Sequence, residues 1–297
     1  MRRDRVKILV HRYTQIGGRG DMLLATPIFK ALKGKYPGSH ITVYTAAHLA
    51  LILTGNPYID EITCKAPSWF RFNKIVHLDY IKLPSNLHII DAFAVNAGVT
   101  LKDKKPFIYI GEEHHREAER FFNFYNLTDD DLTIAVHAGP TWPERMWFRE
   151  RYIKVADYFK EHYKATFIEL GQFKGNGMGL GIDLTGKTSI RQTAAILSRC
   201  KLLLCVDSFV MHLAGAVDTP VVGLFGCTNP KQRLPFNDIS LAPDTPSNCR
   251  YCYHWDQTRL SNLCIRSRIE CMESISPESV IRAMENLLAK TGAIKEP

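Results

Sequence analysis

Leu202-Leu-Leu-Cys-Val-Asp-Ser-Phe-Val-Met-His-Leu-Ala-Gly-Ala-Val-Asp-Thr-Pro-Val-Val-Gly-Leu-Phe-Gly226 holds a strand, a polar turn, a helix and a second strand in one continuous segment. Leu202 to Val206 is an uninterrupted apolar run, the pattern of a parallel strand covered on both faces. Asp207 and Ser208 stop it with two side chains that cap helices well, so a helix begins there. Val210, Leu213, Ala214 and Val217 give that helix an apolar stripe, Thr219-Pro220 ends it, and Val221 to Phe225 reads as a second buried strand closing on Gly226. The result is a βαβ unit of the doubly wound type. In such sheets ligands bind outside the carboxyl ends of the strands, where Ser208 and the free N–H groups of the new helix suit a phosphate. His212 lies one turn in, at a spacing that places it beside Asp207 or Ser208. Taken alone, the same residues also fit a plain helix cap and a structural histidine.

The rest of the chain repeats the alternation. Val6 to Val10 reads as the first strand, followed by a loop from Tyr13 to Asp21 that carries Gly17, Gly18 and Gly20, then a helix from Met22 to about Tyr36. The glycines are not spaced as in the dinucleotide fingerprint and no acidic residue closes the second strand near Thr45, which argues against a nicotinamide cofactor. Ile41 to Thr45, Ile59 to Thr63 and Ile75 to Leu78 follow as strands, and His88 to Val99 and Glu112 to Phe124 as helices. Polar, aperiodic Asn126 to Leu132 reads as a linker. Beyond it, Thr133 to Gly139 is a strand ending in glycine, and a loop containing Arg145 precedes a helix from Phe148 to Tyr163. Ala165 to Leu170 is a further strand, Gln172 to Gly179 a glycine-rich loop expected to be mobile over the site, and Ile190 to Arg199 a helix. Ser276-Pro277-Glu278 opens a capped final helix that runs to Lys290.

A length of 297 residues accommodates two domains of about 130 to 150 residues each. The expected division is an amino-terminal Rossmann-like domain over 1–127, a second over 128–275 and a carboxyl-terminal helix over 276–297. Neither a membrane-spanning run nor a secretory signal is evident at the amino terminus, so a cytoplasmic location is expected. The net charge of +8 points to acidic partners, and the lack of any nucleic-acid signature argues against DNA or RNA. Cys64, Cys200, Cys205 and Cys227 read as small core residues, whereas Cys249-x-x-Cys252 with Cys264 and Cys271 has a spacing able to tie a structural zinc. Free thiols are the alternative that a cytoplasmic location favours.

Asp207 to Pro230, read as Asp-Ser-x-x-x-His-Leu-Ala-Gly-Ala-x-x-Thr-Pro-Val-Val-Gly-Leu-Phe-Gly-x-Thr-Asn-Pro, resembles the signature of the ADP-heptose:lipopolysaccharide heptosyltransferases, glycosyltransferase family nine. Gly20-Asp21, an apolar stretch, Thr26-Pro27 and the Ala-Leu helix up to Pro37 resemble the amino-terminal motif of the same family. Gly181 to Gly186 also fits, as the segment before a helix that borders the donor nucleotide. Two departures stand out: Phe209 occupies a position where the family usually has glycine, and Arg145 and Phe148 stand where Lys and Pro are usual.

The resemblance implies an α/β GT-B architecture, two Rossmann-like domains facing across a cleft, with the last helix packing back across it. It implies an inverting glycosyltransferase that moves heptose from ADP-heptose onto a phosphorylated lipopolysaccharide-core acceptor without a metal. Peripheral contact with the anionic inner membrane face would suit the positive charge. Donor contacts would come from Gly139, Arg145, Asp207, Ser208, Phe209 and His212, with Arg145 neutralising the leaving diphosphate. Gly18, Gly20 and Asp21 would form the acceptor loop. Asp21 would be the general base, its charge favoured by Arg19 and its side chain also capping the helix. A transferase using another nucleotide sugar, a sugar-nucleotide epimerase and a non-catalytic nucleotide- or glycan-binding protein share such a fold and remain open.

Overall fold

In the computed structural model, residues 5–12, 18–78, 87–139, 142–254, 264 and 266–295 are described. Tyr13 to Gly17 of the glycine-rich loop, and Pro140 and Thr141 of the loop before Arg145, lie outside the described residues. Contact density divides the chain into Met1–Tyr109 and Ile110–Pro297.

The first unit is organised on β1 (Lys7–His11), whose Ile8, Leu9 and Val10 are completely buried, as an inner strand of a sheet covered by helices requires. After it come α1 (Arg19–Leu24), α2 (Thr26–Lys35), β2 (His40–Tyr44), α3 (Ala47–Leu53), β3 (Glu61–Thr63), β4 (Lys74–His77) and α4 (Ile89–Ala97). The sheet order is β3-β2-β1-β4, all parallel, with His11 in register with Tyr44 on one side and His77 on the other. Where one helix from Met22 to Tyr36 is expected, two meet at Ala25. Pro27 has no N–H for the helical ladder, and the Thr26 hydroxyl bonds back to the Leu23 carbonyl at 2.6 Å while accepting from Phe107 N at 2.7 Å.

In the second unit, α5 (Glu112–Phe124) precedes β5 (Thr133–His137), α6 (Arg149–Tyr163), β6 (Thr166–Glu169), β7 (Ile182–Asp183) and α7 (Ile190–Leu197). The chain continues through β8 (Leu202–Val206), α8 (Phe209–Ala216), β9 (Val221–Leu224), α9 (Pro230–Arg233), β10 (Ser240–Leu241), α10 (Glu270–Glu273) and α11 (Pro277–Lys290). Its parallel sheet runs β10-β9-β8-β5-β6-β7, so the segment read first from sequence lies beside β5 near the centre. All five residues of β8 are buried, and each large apolar side chain there contributes about 1.5 to 3 kcal/mol by leaving water. A capping box between Ser189 and Gln192 starts α7, and Ser276 caps α11 as its sequence predicts.

The boundary falls ahead of the expected linker because α5 packs on α7 and belongs to the second unit, where Gln192 Nε2 donates to Glu117 Oε2 at 2.8 Å. Asn126 to Leu132 is a tight turn inside that unit, closed by Leu127 N on the Phe122 carbonyl and by Thr128 on Asp131. Val280, Met284, Leu287 and Leu288 of α11 enter the second unit's core against Val155 and Phe159 of α6, and Glu285 accepts from the hydroxyls of Tyr158 and Tyr163 at 2.7 Å each. The 172–179 loop is not loose: the buried Glu169 carboxylate accepts from Met178 N and from Leu180 N, the latter at 2.8 Å.

Charge is divided unevenly. Residues 1–109 carry 16 Lys and Arg against 7 Asp and Glu, whereas 110–297 carry 22 against 23, so the first unit holds the whole positive excess. Among the described residues no helix is long and apolar enough to cross a membrane.

Candidate active site

At the carboxyl end of β8 the chain places Asp207, Ser208 and the start of α8. Neither side chain caps the helix, in contrast to the sequence expectation. Ser208 occupies the cap position, but its hydroxyl makes no cap bond and is buried with no hydrogen-bond partner. The first N–H groups of α8 therefore have neither a helical partner nor a side-chain cap. Asp207 is turned instead to two arginines: its Oδ2 lies 3.3 Å from Arg145 Nη1 and 3.6 Å from Arg233 Nε. Burial pushes the Asp207 carboxyl up, yet Arg145, Arg233, His212 and the Thr228 hydroxyl together hold it below the usual carboxylate value.

Arg145 is buried, not a solvated surface side chain. Its Nη1 also donates to the Asp207 backbone carbonyl at 3.3 Å, and its guanidinium sits 3.7 Å over the Trp142 ring. Trp142 packs on Tyr253 with ring centroids 5.1 Å apart, and Arg233 lies 5.8 Å over Tyr253. Two buried cations thus bracket one buried anion at a helix amino terminus, leaving a surplus positive charge where a diphosphate would be received. His212 is buried within the electrostatic reach of Asp207, and Phe209 is half-buried as the first residue of α8. Gly139, just past β5, has φ 115, a conformation that favours glycine.

In the first unit Gly18 is the residue before α1 and adopts φ 77; Gly20 and Asp21 fall in the first turn. Asp21 is therefore not the cap, and its carboxylate is engaged elsewhere: Oδ2 accepts from Arg12 Nη2 at 2.7 Å. Arg12 reaches Asp21 from the end of β1 and also donates to the Leu78 carbonyl at 2.7 Å. Both members of the pair are partly exposed.

Arg233, Trp142, Tyr253 and Thr228 were not foreseen. A signal existed for Arg233: Asn229-Pro230 after a strand end is a helix start, and Asn229 accepts from Lys231 N at 3.0 Å, placing Arg233 one turn in. Of the cysteines expected in the core, Cys200, Cys205 and Cys227 are buried, but Cys64 is exposed because it follows the short edge strand β3. Burial raises the Cys271 thiol to about 12, with Cys249, Cys227 and Cys252 adding to the rise. The Cys264 thiol is directed to the Arg268 carbonyl at 3.8 Å. Among the described residues no three His, Cys, Asp or Glu side chains are arranged to hold a metal ion.

The family described as glycosyltransferase family 9 (heptosyltransferase) matches residues 69–254. The lipopolysaccharide core heptosyltransferase OpsX of Haemophilus influenzae is 24% identical over 230 residues, 71% of this chain and 63% of that protein, so the chain spans under two thirds of this relative. Among solved structures, a glycosyl transferase family 9 protein from Veillonella parvula superposes with a TM-score of 0.77 at 24% identity, covering 98% of this chain and 99% of that one. E. coli ADP-heptose lipopolysaccharide heptosyltransferase II gives 0.68 at 16% identity, covering 97% and 100%. The fold is the expected α/β GT-B class, with a parallel sheet in each unit.

Proposed function

This chain belongs to glycosyltransferase family 9, and on that premise we propose that it transfers heptose from ADP-heptose, with inversion, to a sugar hydroxyl of a phosphorylated lipopolysaccharide core. The observation that carries the donor half is the buried, unpartnered Ser208 hydroxyl at the start of α8, beside Asp207 bracketed by Arg145 and Arg233. A diphosphate there accepts from Ser208 and the helix N–H groups while the two guanidiniums offset its charge. In the reaction the acceptor oxygen bonds to the anomeric carbon as the bond to the diphosphate oxygen breaks. The bonding pair leaves on ADP, and the acceptor proton passes to Asp21, a carboxylate that Arg12 keeps beside a charge complement. Arg145 meets the negative charge developing on the leaving group, so no divalent ion enters any step. The basic first unit suits an anionic glycolipid and the cytoplasmic membrane face that displays it.

A thermal-shift screen against ADP, UDP, GDP and CMP sugars tests the donor. ADP-heptose should shift the transition most, and a shift by a uridine or guanosine sugar in place of the adenine one sinks the heptose assignment. Transfer should persist in EDTA; loss on chelation with recovery in magnesium or manganese would return the diphosphate to a metal.

A further inference from the structure

His11, Tyr44 and His77 are in-register neighbours at the carboxyl ends of β1, β2 and β4, so their side chains leave the same face of the sheet in a row. His11 stacks on Tyr44 with centroids 5.2 Å apart and an interplanar angle of 16°, and its Nδ1 is 3.1 Å from His77 Nδ1. Trp69, from the turn between β3 and β4, closes the row by stacking on His77 at 5.9 Å and meeting His11 edge-on at 5.2 Å. The residues one position earlier, Val10, Val43 and Val76, are buried in the core, whereas His77 is exposed and His11, Tyr44 and Trp69 remain half-buried. Four rings are thus kept at the surface, at the end of a parallel sheet where open α/β folds receive ligands. The row adjoins Arg12, which holds Asp21.

We propose that His11, Tyr44, Trp69 and His77 form the platform for the acceptor's sugar ring, an inference that rests on the glycosyl-transfer reading. A pyranose offers a C–H face to aromatic rings and hydroxyls to imidazole nitrogens, the combination this row supplies. An anionic substituent on that sugar suits a unit with 16 basic and 7 acidic residues.

The test uses the full chain and a delipidated, heptose-free lipopolysaccharide core oligosaccharide as probe, with binding followed by saturation-transfer NMR and titration calorimetry. Trp69→Ala should weaken this binding about tenfold, the size of one good aromatic contact, and Trp69→Phe should restore most of it. The acceptor KM should rise with little change in kcat, while ADP binding, which belongs to the second unit, is unaltered. Because Trp69 is not in the buried core, the Ala variant should fold; His77→Ala gives a second reading with a smaller loss. Unchanged oligosaccharide affinity in folded Trp69→Ala overturns the platform, as does a wild-type chain that binds ADP but no oligosaccharide. Loss of binding to anionic phospholipid vesicles with oligosaccharide binding intact would make the row a lipid contact and also overturn it. If Trp69→Ala abolishes oligosaccharide binding but no ADP sugar is bound or consumed, the platform stands and the transfer reading falls.

Discussion

Both units place polar residues at the carboxyl ends of parallel strands, yet they do so with opposite electrostatics. In the second, Asp207, Arg145 and Arg233 are each at most 8% exposed, and the unit as a whole is nearly neutral. In the first, Asp21 and Arg12 are partly open to water, the neighbouring rings are half-buried or, for His77, exposed, and the net charge is strongly positive. Buried ions cost desolvation free energy when the chain folds, and they would meet the proposed diphosphate with charges already held in place. An open, basic surface with aromatic faces suits the proposed anionic sugar acceptor. The division predicts that changes in the first unit alter turnover or acceptor use without unfolding the protein, while changes in the second alter stability as well.

The largest effect should come from Asp21→Asn. Asn keeps the size and one oxygen for Arg12 but cannot take a proton, so transfer should fall by roughly two to four orders of magnitude with the melting temperature and ADP binding near those of the parent. Because Asp21 lies in the first turn and not at the cap, no capping bond is lost. A folded Asn variant that transfers at the parental rate would move the base elsewhere.

Arg145→Ala should be next, lowering turnover on the order of a hundredfold. It should also destabilise the second unit, because removing one partner of a buried ion pair leaves the other charge poorly compensated, at a cost of about 3 to 5 kcal/mol in isolated pairs. Arg233 stays beside Asp207 and should reduce that loss. Arg145→Lys should keep part of the rate, since the charge survives but the stacking on Trp142 does not. Equal turnover and equal unfolding midpoints for Ala and the parent would break the contrast between the units.

What could be read from sequence follows the same division. The 202–226 segment was readable because a buried run, a polar stop and a helical stripe are local signals, and the observed β8, α8 and β9 keep those limits within a residue or two. Partner choice was not local. Asp207 turns from the helix to Arg145 and Arg233, residues 62 positions before it and 26 after, and no spacing rule relates them. Arg12 reaches Asp21 because the end of β1 is brought beside the start of α1. The division between the units is not local either: a polar loop such as 126–132 marks a change of direction, whereas the unit to which α5 belongs depends on what it packs against, here α7.

Phe209→Gly should have a smaller effect. Its side chain stands at the first residue of α8, next to the unpartnered Ser208 hydroxyl, so removing it should widen the phosphate site and tighten ADP binding by up to about tenfold, at roughly 0.5 to 1 kcal/mol of stability from the added backbone freedom. Calorimetry with ADP and with ADP-heptose reads this directly. Unchanged affinities would leave Phe209 as an ordinary helix residue.

The smallest effect should be a pH dependence of stability rooted in the second unit. His137 ends β5, fully enclosed, and its Nδ1 is 2.9 Å from the Leu170 carbonyl; because that oxygen only accepts, Nδ1 carries the proton of the neutral ring. Burial lowers its pKa from 6.5, with the Leu170 carbonyl opposing the shift. Below pH 6.5 the unfolded chain therefore binds a proton that the folded chain refuses, so the contribution is fully present above 6.5 and is lost as pH falls toward the depressed folded value. Within that window the slope is at most about 1.4 kcal/mol per pH unit. His11 in the first unit is depressed by burial and by His77, but its ring is only half-buried and should contribute less. Denaturant unfolding at pH 7.5 and 5.5 should thus show the parent losing stability on acidification, and His137→Gln, which can still donate to Leu170, losing less by about 1 kcal/mol. If the two proteins lose the same amount, His137 is protonated as easily folded as unfolded, and burial at the end of β5 carries no cost for the charged ring.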